Sequence, residues 1–432
     1  MYKNSKIKSI KAREILDSRG MPTIEVELKT NLGKFLASVP SGVSTGKYEA
    51  VELRDEDGRG VKKAIKNIER VIAPVLSKED ATCQKRVDDI LIKLDGTKNK
   101  SRLGANAILA VSMAICRAGA AAKNLPLYKY ISNLLIYEIN RVPNPCFNVI
   151  NGGLHARNEL DFQEFMIVPQ KNSFSENLKI GTEIYHQLKK NLAKKYGKLA
   201  TNLGDEGGFA PPIKFPEEAV ELILEAAKKL NYEIKIILDV AASRFFKNGK
   251  YKMKIGVFAR DGLLRYYEKL VKNYPILGLE DPFAEDDLEG WKILSSMNLR
   301  FISPLSSKLL IIGDDLTVTN TNRIKTAYSK KACNGIIIKI NQIGTVTEAL
   351  EAVKLAKSFG WKIIVSHRSG ETKDDFIADL AVGIGAEFIK SGAPFTKERM
   401  AKYNRLLRIA EALPHLSSRL TSQGEARQLK KN

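Results

Sequence analysis

Six polar residues close short apolar runs that recur at similar intervals along the second half of the chain. They are Asp239 after IKIIL, Glu280 after ILGL, Asp314 after LLIIG, Lys339 after GIII, His367 after WKIIVS and Lys390 after EFI. Continuous Ile/Val/Leu runs are typical of strands buried on both faces, which belong to parallel sheets. Because the carboxyl ends of barrel strands meet at one rim, this pattern predicts a single site there.

The three acids at these positions suit a divalent metal. Carboxylates are hard oxygen donors, and Mg²⁺ prefers octahedral oxygen ligation. We therefore interpret Asp239, Glu280 and Asp314 as metal ligands. The alternative for any one of them is a helix cap or an ion pair with a lysine.

The two lysines suggest proton abstraction. A charged lysine is costly to bury, so we expect the pKa of Lys339 to fall and its amine to act as a base. A structural ion pair with one of the acids is the alternative. Lys390 raises the same question, and positive charge beside a metal would stabilise an enolate formed next to a carboxylate.

Further polar residues could bind an anion or donate a proton. In SHRSGET, Arg368 and Ser369 offer a guanidinium fork and a hydroxyl to phosphate oxygens, although such arginines are often ordinary ion-pair partners. Glu164 in FQEF and Glu206 in GDEGG could have raised pKa values and act as acids. His155, after NGG, could bind substrate or be an ordinary turn residue.

The SGVSTGK segment, residues 41–47, superficially resembles a phosphate loop. Three residues rather than four separate its glycines, and Tyr48 follows Lys47, so it is not a Walker A motif. We interpret it as a mobile Gly/Ser loop able to close over a ligand.

The periodicities predict two domains. Ile24, Val26 and Leu28 alternate with polar residues as in a strand, and residues 61–75 and 105–122 have helical patterns. RVPNP interrupts both patterns, so we expect an α+β domain over residues 1–138 and an α/β domain, a (β/α)8-type barrel, over residues 139–432. Helices are predicted at residues 216–230, 263–274 and 346–359, and the connector at residues 302–307 is interpreted as a surface loop away from the site.

Composition limits the class of protein. The 432 residues carry a net charge of +21, but basic and acidic residues are interleaved, which favours solvated faces over a nucleic-acid site. We expect no membrane span and no signal peptide. The four cysteines form no CxxC pair, so neither a zinc site nor a disulfide framework is predicted, and a cytoplasmic location is the expectation.

Many ordered motifs resemble the enolase family. They include AREILDSRG, VPSGVSTGKYEA, NKSRLGANAIL, NGGLHA, FQEFMIVP, GDEGGFAP, LEDPFAEDD, GDDLTVTN, KINQIGT, SHRSGET and IKSGAP. The resemblance implies the enolase variant of the (β/α)8 barrel and Mg²⁺-dependent dehydration of 2-phosphoglycerate to phosphoenolpyruvate. It implies two Mg²⁺ per site, the second arriving with substrate. It also implies a homodimer, with an octamer as the alternative.

The resemblance also implies a role for each matched residue, as is general for the enolase superfamily. Lys339 would be the base, Glu206 the acid supported by Glu164, and Lys390 an added positive charge. Arg368 and Ser369 would hold phosphate, His155 and His367 would line the pocket, and Ser44 would help hold the second metal. The chain departs from the family at Arg244, where a glutamate is usual, in the longer connector before Asp314, in its tail and in its basic charge.

Three other functions remain open from the sequence. A racemase or lactonising enzyme would share the metal acids but would not be expected to keep SGVST, GDEGG and SHRSG together. RNA or surface binding is suggested only by the +21 charge. Some members of the family bind plasminogen through a terminal lysine, but here Lys431 is penultimate, so that activity is disfavoured. A purely structural role is disfavoured because every matched catalytic position is filled.

Overall fold

The computed structural model describes residues 5–43, 46–297 and 308–413. Its strands, in chain order, are β1 (Ser9–Leu16), β2 (Pro22–Thr30), β3 (Gly33–Ser38), β4 (Asn144–Asn151), β5 (Glu164–Val168), β6 (Lys235–Asp239), β7 (Phe246–Lys247), β8 (Lys250–Met253), β9 (Gly256–Phe258), β10 (Ile276–Glu280), β11 (Leu310–Gly313), β12 (Gly335–Ile338), β13 (Lys362–Ser366) and β14 (Phe388–Lys390). Strands β1 to β3 form one sheet, β7 to β9 another, and the other eight close into a barrel.

Helices surround these sheets. They are α1 (Lys62–Asn67), α2 (Ala73–Leu76), α3 (Gln84–Asp95), α4 (Ala105–Ala122), α5 (Leu127–Leu135), α6 (Phe174–Tyr196), α7 (Pro216–Lys229), α8 (Arg260–Asn273), α9 (Leu288–Ser296), α10 (Thr321–Ser329), α11 (Ile340–Ile343), α12 (Val346–Ser358), α13 (Phe376–Gly383) and α14 (Lys397–Ala412). The predicted helices at residues 216–230, 263–274 and 346–359 are confirmed as α7, α8 and α12.

The N-terminal sheet follows the predicted alternation. Ile24, Val26 and Leu28 are fully buried on the inner face of β2, which pairs antiparallel with β1 and β3. The helix predicted over residues 61–75 forms as α1 and α2 joined by a π-helical turn, Ile68–Ile72. Pro74 follows this turn and has no backbone N–H, so the ordinary helical hydrogen bond is lost there.

Helix α4 is the core of the N-terminal part. It is, within the described ranges, the one helix long and apolar enough to cross a membrane, but 89% of that stretch is buried inside the fold. It packs against β2, β3 and α5. Burial on all sides explains its apolar composition without a membrane.

The barrel places the predicted strand ends at one rim. Its strand order is β10-β11-β12-β13-β14-β4-β5-β6. The six strands predicted from the apolar runs are β6 and β10 to β14, and they pair parallel, as expected. The fold class, an α/β (β/α)8-type barrel with an N-terminal α+β part, is therefore confirmed.

Strand β5 runs opposite to the others. It pairs antiparallel with both β4 and β6, a reversal that the sequence pattern, which covered six other strands, did not predict. The link from β4 to β5 contains only a short 3-10 turn, Gly153–His155, and lacks the helix that usually crosses back before a parallel strand. The reversal brings Glu164, the first residue of β5, beside Asp239, the last of β6.

Two sequence interpretations cannot be compared with this fold. The connector at residues 302–307 and the loop residue Ser44 lie outside the described residues. The domain boundary at residues 138 and 139 stays a prediction, although β4 begins close to it at Asn144 and takes in Pro145 of RVPNP.

A largely buried ion pair joins the N-terminal part to the barrel. Arg117 of α4 donates two hydrogen bonds to Asp374, at 2.8 and 2.9 Å, and one to the Leu36 carbonyl. Burial raises the pKa of Asp374, but pairing with Arg117 outweighs it and lowers the pKa below its usual value. The pair therefore stabilises the fold at neutral pH.

Arg117→Met should lower the free energy of unfolding by roughly 3–5 kcal/mol at pH 7, because it leaves a buried carboxylate without its cation. Since the folded pKa of Asp374 is depressed, the stabilisation is present above the unfolded pKa of about 3.9 and is lost as the pH falls further. Urea titrations at pH 7 and below pH 4 measure this. The control Arg86→Met, which breaks an exposed pair with Glu79, should cost about 1 kcal/mol or less; equal losses in the two variants would contradict the prediction.

Candidate active site

Three carboxylates stand at the carboxyl rim of the barrel. Asp239 and Glu280 end β6 and β10 and are direct neighbours in the register, and Asp314 follows β11. Each residue is more than nine-tenths buried. The strands therefore hold the predicted metal acids at one edge, as the sequence pattern indicates.

Both predicted lysines reach these acids. Nζ of Lys390 lies 2.6 Å from Glu280 Oε1, 3.3 Å from both oxygens of Glu164 and 3.9 Å from Asp239. Lys339, directly after β12, forms an ion pair with Asp314. One buried network of opposite charges thus spans the rim.

The expected fall in the pKa of Lys339 is wrong for this structure. Burial lowers the pKa of this lysine, but the negative charge of the adjacent Asp314 carboxylate raises it by more. The net pKa therefore lies above the ordinary value of a lysine. The pKa of Lys390 is likewise lowered by burial and raised well above normal by Glu164, Glu280 and Asp239. The ion-pair alternative therefore describes Lys339 here.

The carboxylates suit a cation by chemistry, although their spacing is wide. Oε2 of Glu280 is buried without a hydrogen-bond partner, which leaves an oxygen ligand open. Ligand atoms of two other sets lie within 4.8 Å of one another: His155, Glu164 and Glu206, and Asp281, Asp314 and Asp315. Asp239, Glu280 and Asp314 do not form such a set among the described residues, and Lys390 Nζ contacts both Asp239 and Glu280. Their metal role stays a prediction.

Glu206 sits on a turn tied to β4. Gly207, which follows it, has a φ of +82°, a conformation that favours glycine. The turn is anchored where Phe209 bridges to Ile150. Oε2 of Glu206 accepts a 2.9 Å hydrogen bond from Asn148, so its carboxyl group points into the barrel mouth.

Two histidines face Glu206. Nε2 of His367 lies 3.4 Å from Oε2 and Nδ1 of His155 lies 3.7 Å from Oε1, both long for hydrogen bonds. Burial lowers the pKa of His155 to about 4 and that of His367 to about 3. Both rings are therefore neutral at pH 7.

The acid pair has opposed tendencies. Burial and repulsion by Glu206 raise the pKa of Glu164 well above normal, although Lys390 opposes them. Burial raises the pKa of Glu206, whereas charge on His367 and His155 brings it well below normal. That attraction exists only for charged imidazoles, so with neutral rings burial is the stronger influence on Glu206. We therefore treat the two carboxyls as one coupled acid.

Arg368 and Ser369, after β13, meet the N-terminal part of the chain. Arg368 donates to both oxygens of Glu49, at 2.8 and 3.3 Å. Ser369 Oγ accepts from the backbone N–H of Val43 at 2.8 Å. The segments that flank Ser44 are thus attached to both residues predicted to hold phosphate.

One cavity at the rim joins nine of the twelve predicted site residues. It is lined by His155, Gln163, Glu164, Glu206, Asp239, Ala241, Asp281, Asp314, Asp315, Lys339, Ser366, His367, Arg368 and Ser369. Lys390 contacts Glu164 and Asp239 and links them to Glu280. Ser44 is the remaining residue and lies outside the described part of the chain.

The sequence reasoning missed several residues that hold the predicted ones. Asp281 accepts the backbone N–H groups of Asp314 and Asp315. Gln342 donates to Asp314 at 2.9 Å, and Gln163 donates to Asp239 at 3.2 Å. All lie within quoted motifs: Asp281 and Gln163 are each next to a selected residue, and Gln342 is three positions after Lys339. That proximity is the signal that could have found them.

The departure at Arg244 leaves the predicted ligands in place. Arg244 lies in a 3-10 turn beyond Asp239. Burial and the charge of Asp314 raise the pKa of Asp315 to about 7, and the positive charge of Arg244 acts in the opposite direction by lowering that pKa. His186 is exposed on α6 and contributes nothing to the cavity. The four cysteines are free.

Comparison with known proteins agrees with this geometry. A family model described as the enolase C-terminal TIM barrel domain matches residues 139–427, and one described as the enolase N-terminal domain matches residues 7–131. The enolase of Mastigamoeba balamuthi is 51% identical over 429 residues, which cover 95% of this chain and 96% of that protein. The chain therefore belongs to the enolase family and is a lyase, a phosphopyruvate hydratase.

Proposed function

We propose that Lys339 and Glu206 are the base and the acid with which this chain dehydrates 2-phosphoglycerate to phosphoenolpyruvate in glycolysis and gluconeogenesis. The observation that carries the assignment is their separation around the rim. Lys339 follows β12, whereas the Glu206 turn is anchored on β4, three strands further round the barrel. Two groups so placed can reach neighbouring carbons of one small substrate from different sides.

The proton movements balance between these two groups. Once Lys339 has released the proton that its ion pair with Asp314 favours, its neutral Nζ takes the proton from C2, and the C2–H electron pair passes into the substrate carboxylate. Glu206 gives a proton to the C3 hydroxyl, which leaves as water as the C–O bond breaks and the double bond forms. Lys339 ends with one proton more and Glu206 with one fewer, and hydration runs through the same groups in reverse.

Other residues support each half of this reaction. Lys390 is buried, and its pKa is well above normal, so it provides a fixed positive charge for the intermediate. Glu164 contacts Lys390 and lies close to Glu206, so it can resupply the acid. Arg368 and Ser369 bind the phosphate, while His155 and His367 line the pocket.

Asp239, Glu280 and Asp314 would hold a Mg²⁺ ion, and Ser44 would help to hold a second, which arrives with substrate. The fit rests on the donor chemistry and on the open oxygen of Glu280; the role of Ser44 rests on the family resemblance. Bound metal would spread the charge that develops on the substrate carboxylate and so make the C2 proton more acidic.

We also propose a cytoplasmic homodimer, with an octamer as the alternative, following the family resemblance. Nucleic-acid binding is the competing use of the +21 charge. Sedimentation measures the assembly, and binding to RNA that persists at physiological salt would support the competing function.

The separate roles of the base and the acid predict different losses. In D₂O with Mg²⁺, Lys339→Ala should lose both C2 hydrogen exchange and phosphoenolpyruvate formation by at least about 10²–10⁴-fold. Glu206→Gln should lose product formation but keep exchange, because Lys339 remains. Absorbance follows the product and NMR follows the exchange.

The control for these variants is Lys354→Ala, an exposed lysine on α12 that should behave as wild type. Exchange retained by Lys339→Ala would remove Lys339 as the base. A folded, Mg²⁺-supplied wild type without product would overturn the function itself.

The metal assignment predicts a change in stability without any turnover. Mg²⁺ at 100 times its Kd should raise the free energy of unfolding of the wild type by about 2.7 kcal/mol, and chelator should reverse this. Glu280→Gln should lose most of that gain, because one ligand is neutralised. Glu351→Gln, an exposed glutamate on α12, is the control and should keep it. An unchanged gain in Glu280→Gln would remove Glu280 from the metal site.

A further inference from the structure

Arg399 on α14 is a buried arginine that binds the loops carrying the acid and the phosphate ligands. Its side chain is 0% exposed. It donates hydrogen bonds to the carbonyls of Arg368 at 2.6 Å, Ser369 at 2.7 Å and Asp205 at 3.0 Å. Its fourth partner is Nδ1 of His367. One side chain therefore links the residue before Glu206 to the segment after β13.

The direction of the hydrogen bond between Arg399 and His367 is fixed by the chemistry of the guanidinium group. A guanidinium group can only donate hydrogen bonds, and it keeps its charge at every pH at which proteins fold. Nδ1 of His367 must therefore be the acceptor, without a proton. In a neutral imidazole the single ring proton must then lie on Nε2.

We propose that Arg399 is a positioning residue that locks His367 in the tautomer protonated on Nε2, so that His367 can only donate to Glu206. This inference deepens the proposed function, because it rests on Glu206 as the acid. It assigns Arg399 a role in the orientation of the reacting proton, although Arg399 itself touches no substrate.

The surroundings of the ring favour the neutral state that the argument requires. Burial lowers the pKa of His367 to about 3, and the charge of Arg399 lowers it as well, against the attraction of Glu206. Gly392 allows this close packing: a Cβ there would lie 3.1 Å from both Arg399 Cδ and His367 Cε1 and 2.5 Å from the carbonyl of Glu206. The ring, the guanidinium and the acid turn therefore fit together only around a glycine.

The locked tautomer decides which oxygen of Glu206 carries the proton. Oε2 already accepts from Asn148 at 2.9 Å, and it faces Nε2 of His367 at 3.4 Å. Asn148 occupies one acceptor position of Oε2, and the Nε2–H of His367 faces the same oxygen at a distance long for a hydrogen bond, so a further proton on Oε2 is disfavoured. The transferable proton therefore lies on Oε1, the oxygen that faces His155.

The direct test is the tautomer of His367 in the unmodified full-length chain. Nitrogen-15 NMR of histidine-labelled protein at neutral pH distinguishes protonated from unprotonated ring nitrogens. The chain has only four histidines, so a His367→Asn sample identifies the signals. We expect a proton on Nε2 and none on Nδ1. A proton on Nδ1, or on both nitrogens, would overturn the proposal.

The second test compares two replacements of Arg399. Lysine can still only donate, whereas the glutamine amide can also accept and so permits the other tautomer. We expect Arg399→Lys to keep the wild-type tautomer and most of kcat. Arg399→Gln should populate Nδ1–H and lose roughly 10–100-fold in kcat with a smaller change in KM, as is usual for residues that orient a reacting group.

Arg405→Lys on the same helix is the matched control, because Arg405 pairs with Asp379 away from the cavity. A folded Arg399→Gln with the wild-type tautomer and full kcat would contradict the proposal. If that variant does not fold, the wild-type spectrum decides alone. The spectrum needs no turnover, so a failure of the proposed reaction and a failure of the tautomer lock give different results.

Discussion

Compensation of buried charge at the barrel rim is the constraint on which the rest of the site depends. Four carboxylates share two ammonium groups there, namely Glu164, Asp239, Glu280 and Asp314 with Lys339 and Lys390. Because an unpaired buried charge costs several kcal/mol, the shortage of positive charge must appear as bound protons or as a further cation. Burial raises the pKa values of Glu164, Asp239 and Glu280 accordingly. The site is built to gain positive charge, and a divalent metal or a proton can supply it.

The N-terminal part completes this site and does more than cover it. Glu49 forms an ion pair with the buried guanidinium of Arg368, and Ser41 pairs with Gly370 through two backbone hydrogen bonds of 2.8 Å. A Cβ on Gly42 would lie only 2.0 Å from the guanidinium of Arg368, so the loop backbone packs directly against it. The barrel alone would leave its predicted phosphate ligands without these partners, and the packing of the two parts therefore serves function as well as stability.

Local patterns explain how much the sequence could predict. An apolar run that ends in a polar residue is visible within five or six positions, so the parallel strands and most lining residues of the cavity were found. The antiparallel direction of β5 was missed because strand direction depends on the connection that precedes the strand. The residue pattern of FQEF is compatible with both parallel and antiparallel pairing. The predicted fall in the pKa of Lys339 was wrong because the ionisation of this lysine depends on Asp314, a partner 25 positions away in the sequence. Glu49 and Arg399 were missed because they act on residues 319 and 32 positions distant.

The two ends of the proposed reaction are held by different kinds of interaction, and the chemistry explains the difference. At the base end Lys339 is held by its ion pair with Asp314, and an ion pair is non-directional and can be exchanged when a cation or substrate enters. At the acid end Glu206 is held by Asn148 and faces a neutral His367, whose donors have fixed directions. A base must give up its own proton, and with it its ion-pair partner, before it can accept another, whereas an acid must keep its proton on one chosen oxygen. Charge therefore suits the first task and directed hydrogen bonds suit the second.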